Sequence, residues 1–305
     1  MPHKIGFIGL GMMGLPMLEN LATAPGLDIL AFDTADAPFA ALTTHAAWGR
    51  TLRRAATLDA FADRAVVITM LPNSPITNCV IAGESEQRGL VDILRSGAIV
   101  VDMGSSNPGD TRKLANILAA RQIALVDAPV SGAVAKARAG TLAIMAGGET
   151  ASVASVRPLL DHMGKTLILT GDVGSAHAMK ALNNYVYAAG LLAASEAILI
   201  AQRMGLDASV FAEVLNASSG RNVATETKLN QFIIPRTFNA GFAMRLQAKD
   251  LATAANLQTL VDIDAPQLTL CAAIWQQALE TLDAQADNTE IIRYLESSRD
   301  SSTPT

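Results

Sequence analysis

Three glycines near the start of the chain, Gly9, Gly11 and Gly14, stand in the spacing Gly-x-Gly-x-x-Gly directly after the apolar run Ile5-Gly6-Phe7-Ile8. Between a strand and a helix, each has a task. The first permits a tight turn, the second lets backbone approach a pyrophosphate, and the third lets helix and strand pack closely. The helix that follows turns its free N–H groups and the positive end of its dipole toward an anion. Asp33 closes the second apolar run, about 20 residues beyond the last glycine, where a carboxylate accepts from the adenosine ribose hydroxyls and repels a 2′-phosphate. Thr34, Ala35 and Asp36 follow, so no arginine is adjacent to receive that phosphate. The pattern predicts a dinucleotide site that prefers NAD to NADP. The plain alternative is a strand-end turn with Asp33 as a turn residue.

Other groups with chemical potential are spread along the chain. Ser131-Gly132 follows Pro129 and offers a hydroxyl beside accessible backbone N–H groups, which suits a carboxylate; on spacing alone an ordinary Ser-Gly turn is as good a reading. Lys180 lies near the start of a long apolar segment, with Asn184 four residues on and hence on the same helical face. A lone lysine there is ordinarily a solvated charge. His177 precedes Lys180 by three residues, with no carboxylate nearby in sequence to orient it. His3, His45 and His162 read as surface or turn residues. Cys79 and Cys271 are far apart and belong to no Cys-x-x-Cys, so neither a zinc site nor a disulfide framework is expected and no metal is assigned. No Gly-x-Ser-x-Gly elbow marks a hydrolase.

These residues need elements to hold them. Through about residue 170, short apolar runs alternate with helical patterns: Ile29–Phe32, Val66–Met70, Ala98–Val101, Ile123–Val126, Leu142–Met145 and Thr166–Leu169. Continuously apolar strands separated by helices imply a mostly parallel, doubly wound sheet covered on both faces. After Gly174 the pattern changes to one proline-free Ala/Leu-rich stretch, Ala176 to Met204, closed by Gly205. Asp207 is placed to cap the next helix and Pro266 to open a later one. Phe232-Ile233-Ile234 is the single doubtful strand beyond this point. The expected fold is therefore α/β: an N-terminal Rossmann-type doubly wound sheet, residues 1–172, then an all-α domain, 173–295, entered through a long interdomain helix. Residues 296–305 are expected to form a flexible polar tail.

Composition narrows the class. Of 305 residues, 50% are hydrophobic and 17% charged, which excludes a disordered chain and supports about two domains. A formal charge of −5 argues against a nucleic-acid partner. The most membrane-like stretch, Tyr185 to Ala201, carries Ser195 and Glu196 and reads as a buried helix. No targeting segment is expected ahead of Lys4, which points to the cytoplasm.

Five ordered motifs resemble the β-hydroxyacid dehydrogenases typified by 3-hydroxyisobutyrate dehydrogenase. Gly6 to Gly14, with Met12 and Met13, is similar to the family's cofactor turn. Met70-Leu71-Pro72-Asn73-Ser74 resembles its loop after the fourth strand. Asp127-Ala128-Pro129-Val130-Ser131-Gly132, with Gly140-Thr141-Leu142 following, resembles its substrate signature. Gly171 through Asn184 looks like its catalytic helix. Gly241-Phe242 and Lys249-Asp250-Leu251 resemble its late motif. There are departures. Ala133 stands where the family has glycine, Gly104-Ser105 where it has Ser-Thr, and Ala176 replaces a common glycine. Asn222-Val223 follows Ser218-Ser219-Gly220-Arg221 in place of Cys-Trp.

The resemblance implies an NAD-dependent oxidoreductase, NADP being the lesser candidate. It would interconvert a small β-hydroxy acid and its semialdehyde, similar to 3-hydroxyisobutyrate, tartronate semialdehyde or threonate. Lys180 would be the acid–base residue, since partial burial favours a neutral amine, with Asn184 orienting it or binding the reacting oxygen. Ser131, Gly132 and Ala133 would hold the substrate carboxylate, with Arg221 a weaker candidate. Gly9, Gly11, Met12, Met13, Gly14, Asp33, Leu71, Pro72, Ser105 and Lys249 would line the cofactor. Family members associate through the helical half, implying a homodimer or homotetramer. An imine reductase, which generally lacks the lysine, and a cofactor-sensing protein that has lost catalysis are the alternatives. Asn222 in place of an aromatic hints at a more polar substrate.

Overall fold

The computed structural model describes residues 3–85 and 87–300, with side chains through Ser297. The chain divides into two compact units at Lys180/Ala181. The first is built on one nine-stranded sheet: β1 (His3–Ile8), β2 (Leu27–Phe32), β3 (Leu52–Arg54), β4 (Val66–Thr69), β5 (Ile99–Asp102), β6 (Ala124–Asp127), β7 (Val130–Ser131), β8 (Leu142–Gly147) and β9 (Gly164–Gly171). The order is β3-β2-β1-β4-β5-β6-β8-β7, with β9 also paired to β8. The six strands from β3 to β6 are parallel, which requires a crossover between each consecutive pair. Beyond β6 the sheet turns antiparallel, and β9 returns parallel to β8.

β4, with all four residues buried, and the inner residues of β1, β5 and β6 are covered on both faces, as their unbroken apolar runs require. Phe7, Met17, Leu18 and Val101 pack into the core on one face; Phe61, Val67, Leu114 and Leu118 pack on the other. β9 departs from this expectation. It lies at the edge of the sheet, with Ile168 49% and Leu169 62% exposed, so its apolar run does not mark a strand covered on both faces. Apolar content alone does not distinguish a central strand from an edge.

Among the described residues the second unit contains no strand. Its first element continues the long helix Ser175–Arg203, within which the boundary between the compact units falls. Gly205, at φ +78°, follows the helix end in a left-handed conformation that glycine adopts without strain. Asp207 accepts from the N–H groups of Ser209 and Val210, each at 2.9 Å, and Pro266 sits in the first turn of helix Pro266–Thr281. Phe232-Ile233 belongs to a π-helix, Thr225–Ile233, with Ile234 as its C-terminal cap, so the apolar triplet is not a strand. Helix Ile291–Asp300 extends into the segment expected as a tail, because Ile291 and Ile292 anchor its first turn in the core; residues 301–305 lie outside the described residues. Ser175–Arg203 is the one described helix long and apolar enough to cross a bilayer, and half of its most apolar window is buried inside the protein.

The helical core closes around Trp275, fully buried with Leu229, Leu251, Leu268 and Cys271. Trp275→Ala is expected to cost about 3–5 kcal/mol, through the cavity it leaves, read as a lower denaturant midpoint of this unit.

Candidate active site

The glycine turn is built by steric exclusion. A Cβ on Gly9, whose φ is +96°, would lie 2.4 Å from the Met70 carbonyl oxygen, and one on Gly14 would lie 2.0 Å from that of Gly9. A Cβ on Gly11 would meet nothing within 4 Å, so that backbone is open to a ligand. Met12 is 70% exposed beside it, whereas Met13 is half-buried against the core and belongs to the packing. Asp33 is drawn into the turn: its carboxylate accepts from Leu10 N–H at 2.6 Å and Ala35 N–H at 2.8 Å. It therefore braces the loop as well as presenting charge at the end of β2. An open glycine backbone, a helix N-terminus and a fixed carboxylate at the ribose position fit NAD.

Leu71 and Pro72 follow β4, half-buried and exposed respectively. Gly104 explains itself here: a side chain would meet the Leu71 carbonyl at 2.9 Å and the Asp102 carboxylate at 3.1 Å. Ser105 is half-buried on the same loop. Its neighbour Ser106 donates to Asp102 at 2.6 Å, and Thr69 does so at 3.1 Å.

The carboxylate seat proposed from the sequence begins in β7. Ser131 and Gly132 are half-buried; Gly132 adopts φ +139° and Ala133 φ +56°. Ala133 is thus a non-glycine residue in a left-handed conformation, a strained geometry that accumulates at functional loops.

Asp127, at the end of β6 and four residues before Ser131, carries the decisive contacts. Its fully buried carboxylate accepts from Gly174 N–H at 2.8 Å and His177 N–H at 2.9 Å. These donors lie at the start of the helix that bears Lys180, where N–H groups have no intrahelical partner. A carboxylate there satisfies them and complements the helix dipole. His177 is corrected in the same stroke: sequence distance hid its carboxylates. Its ring lies 3.7 Å from Asp102 and 3.9 Å from Asp127, with Nδ1 at 2.8 Å from the Thr111 hydroxyl. At 1% exposure it belongs to the support beneath the helix. This support was not legible in the sequence, because Gly174 and His177 lie 47 and 50 residues from Asp127, and His177 lies 75 residues from Asp102. Lys180 is half-buried on the second turn of that helix.

In the second unit Asn184, one turn beyond Lys180 on the helix, is 8% exposed. Its amide donates to Asp250 at 2.5 Å and its oxygen accepts from exposed Asn183 at 3.2 Å. Asp250, 3% exposed, also pairs with Lys249 Nζ at 3.1 Å. The Lys249-Asp250 pair thus tethers Asn184, a role for Asp250 that spacing did not reveal. Arg221 is exposed and paired with Glu226 at 3.3 Å. Asn222 is spent locally: its oxygen accepts from Ala224 and Thr225 N–H, and its amide donates to Gly220. These bonds hold the turn that leads into the π-helix. Among the described residues no group of three or more His, Cys, Asp or Glu is placed to hold a metal.

Residues 4–171 match the NAD binding domain of 6-phosphogluconate dehydrogenase, and residues 174–295 match the NAD-binding domain of NADP-dependent 3-hydroxyisobutyrate dehydrogenase. The chain is 36% identical to 2-(hydroxymethyl)glutarate dehydrogenase of Eubacterium barkeri, covering 90% of this chain and 88% of that one. It is 31% identical to 2-hydroxy-3-oxopropionate reductase of Escherichia coli, over 96% and 97%. Among solved structures, 3-hydroxyisobutyrate dehydrogenase of Mycobacterium tuberculosis with L-serine superposes with a TM-score of 0.85 at 28% identity, covering 97% and 99%.

Two outcomes follow from the geometry. Asp33→Ala is expected to lower the NAD-over-NADP ratio of kcat/KM at least tenfold, because it removes the charge that repels a 2′-phosphate. Asp127→Asn turns an amide toward an N–H donor, and should cost about 2–3 kcal/mol in denaturant unfolding while lowering kcat.

Proposed function

The chain belongs to the β-hydroxyacid dehydrogenase family, a nicotinamide-dependent group acting on CH–OH, and on that premise we propose that its substrate is a 2-substituted 3-hydroxypropionate or the matching semialdehyde. The names of the similar proteins share that skeleton: a terminal CH2OH or aldehyde, one carbon carrying a variable group, and a carboxylate. The variable group is methyl in 3-hydroxyisobutyrate, hydroxyl in 2-hydroxy-3-oxopropionate, ammonium in L-serine and carboxyethyl in 2-(hydroxymethyl)glutarate.

The observation that carries this reading is the double use of the β6–β7 segment. Asp127 grips the first turn of the helix bearing Lys180, and four residues later the same backbone forms the Ser131–Ala133 turn. A carboxylate bound by the Ser131 hydroxyl and the adjacent N–H groups is thereby held by the segment that fixes the helix of Lys180. Lys180 Nζ takes the proton of the substrate hydroxyl in oxidation and returns it in reduction. Asn184, its amide fixed by Asp250, holds the reacting oxygen. NAD, when bound, supplies the hydride acceptor, and its reduced form the donor. Gly9, Gly11 and Gly14 with Asp33 hold it, joined by Met12, Leu71, Pro72 and Ser105.

The proposal extends to assembly. Leu182 and Val186 lie four residues apart on one helix and Val210 and Val214 four apart on another, and all are exposed. Apolar stripes of this kind support a homodimer or homotetramer through the helical unit. A cytoplasmic site is in keeping with two free cysteines, Cys79 and Cys271.

The test follows reduced-nicotinamide absorbance with NAD, then NADP, against the four acids or semialdehydes. Lys180→Ala is expected to lower kcat about 10²- to 10⁴-fold with NADH binding retained. No turnover of any of them by a wild-type protein that still binds NADH would overturn the proposal.

A further inference from the structure

We infer that Lys136 reads the variable group on the substrate's second carbon and selects one bearing a second carboxylate. The inference rests on the reading above, since it takes the Ser131–Ala133 turn as the seat of the carboxylate common to all these acids. Lys136 belongs to the short helix Ala133–Arg138, which starts directly out of that turn. A Cβ built on Gly132 would lie 2.6 Å from Cδ of Lys136, 2.8 Å from its Cβ and 3.1 Å from its Cγ. The lysine's methylene stem therefore lies along the turn, in the space that the glycine leaves.

Geometry then places the charge. With Cδ in that place the ammonium is two bonds on, about 2.5 Å, so Nζ lies within about 6–7 Å of the Gly132 Cα. The stem borders the seat, and the cation is within reach of a group carried beside the shared carboxylate. Lys136 is exposed, and no described carboxylate pairs with it. A methyl group gains nothing from a cation there, an ammonium group is repelled, and a carboxylate on a flexible branch is attracted. Lys136 is thus a specificity-determining residue for dianionic β-hydroxy acids.

The experiment compares wild type, Lys136→Ala, Lys136→Glu and Lys136→Arg in kcat/KM with NAD for 2-(hydroxymethyl)glutarate, 3-hydroxyisobutyrate and L-serine. Calorimetric titration of the dianion accompanies the kinetics. Wild type should prefer the dianion. Lys136→Ala should reduce that preference over 3-hydroxyisobutyrate about tenfold, chiefly through KM, and weaken binding in parallel. Lys136→Glu should shift the ratio further toward serine, and Lys136→Arg should restore it. The wild-type preference should also weaken with added salt. A uniform rise of all three KM values would assign Lys136 to the shared carboxylate and overturn the inference, as would unchanged ratios. If wild type oxidises none of the three acids, the proposed reaction fails and the inference falls with it. Turnover with unmoved ratios sinks the inference alone.

Discussion

The site depends on one buried contact, the Asp127 carboxylate receiving the N–H groups of Gly174 and His177. A helix N-terminus exposes donors that must be satisfied, and a carboxylate in a fully buried position must be hydrogen-bonded to stay ionised at tolerable cost. Each group solves the other's problem. The result locks the first turns of the helix Ser175–Arg203 to the C-terminal edge of β6. Everything that Lys180 can do follows from where that first turn is held. Asp102 builds the adjoining layer, gathering Thr69, Gly104 and Ser106 and flanking the His177 ring. Two aspartates at the ends of neighbouring parallel strands thereby become the floor of the helix that bears Lys180.

A second constraint is steric. Gly9 and Gly14 admit no side chain because backbone oxygens occupy the space, whereas Gly11 stands open. The same three-residue spacing thus contains two packing requirements and one ligand requirement. Asp33 joins them by accepting from Leu10 within the turn. Ala133, a residue with a side chain, takes a positive φ directly after Gly132 and at the start of the short helix Ala133–Arg138.

The sheet unit carries the glycine turn, the Ser131–Ala133 turn and Lys180; within the helical unit Asn184 is tethered through Asp250 to Lys249. In the helical unit, polar side chains that look available in the sequence are already engaged. Asn222 holds the turn that leads into a nine-residue π-helix, and Arg221 pairs with Glu226. Substrate discrimination is accordingly better sought at the seat itself, where Lys136 runs beside Gly132.

Local physics was legible in the residues alone. The glycine turn, the acidic end of β2, the alternation that makes a parallel sheet, the long helix stopped by Gly205 and the capping by Asp207 are each decided by neighbours within a turn or a strand. The ordered motifs also pointed to Lys180, Ser131 and Gly132. The tertiary structure decided what depends on residues far apart in the chain. It paired Asp127 with a helix 47 residues later, supplied His177 with carboxylates, and placed β9 at an edge despite its apolar run. It also turned Phe232-Ile233 into π-helix and set Asp250 against Asn184. The reason is the same in each case. Burial and hydrogen-bond satisfaction are properties of what the chain brings together, and a linear pattern records only which residues need partners, not which partners the fold delivers.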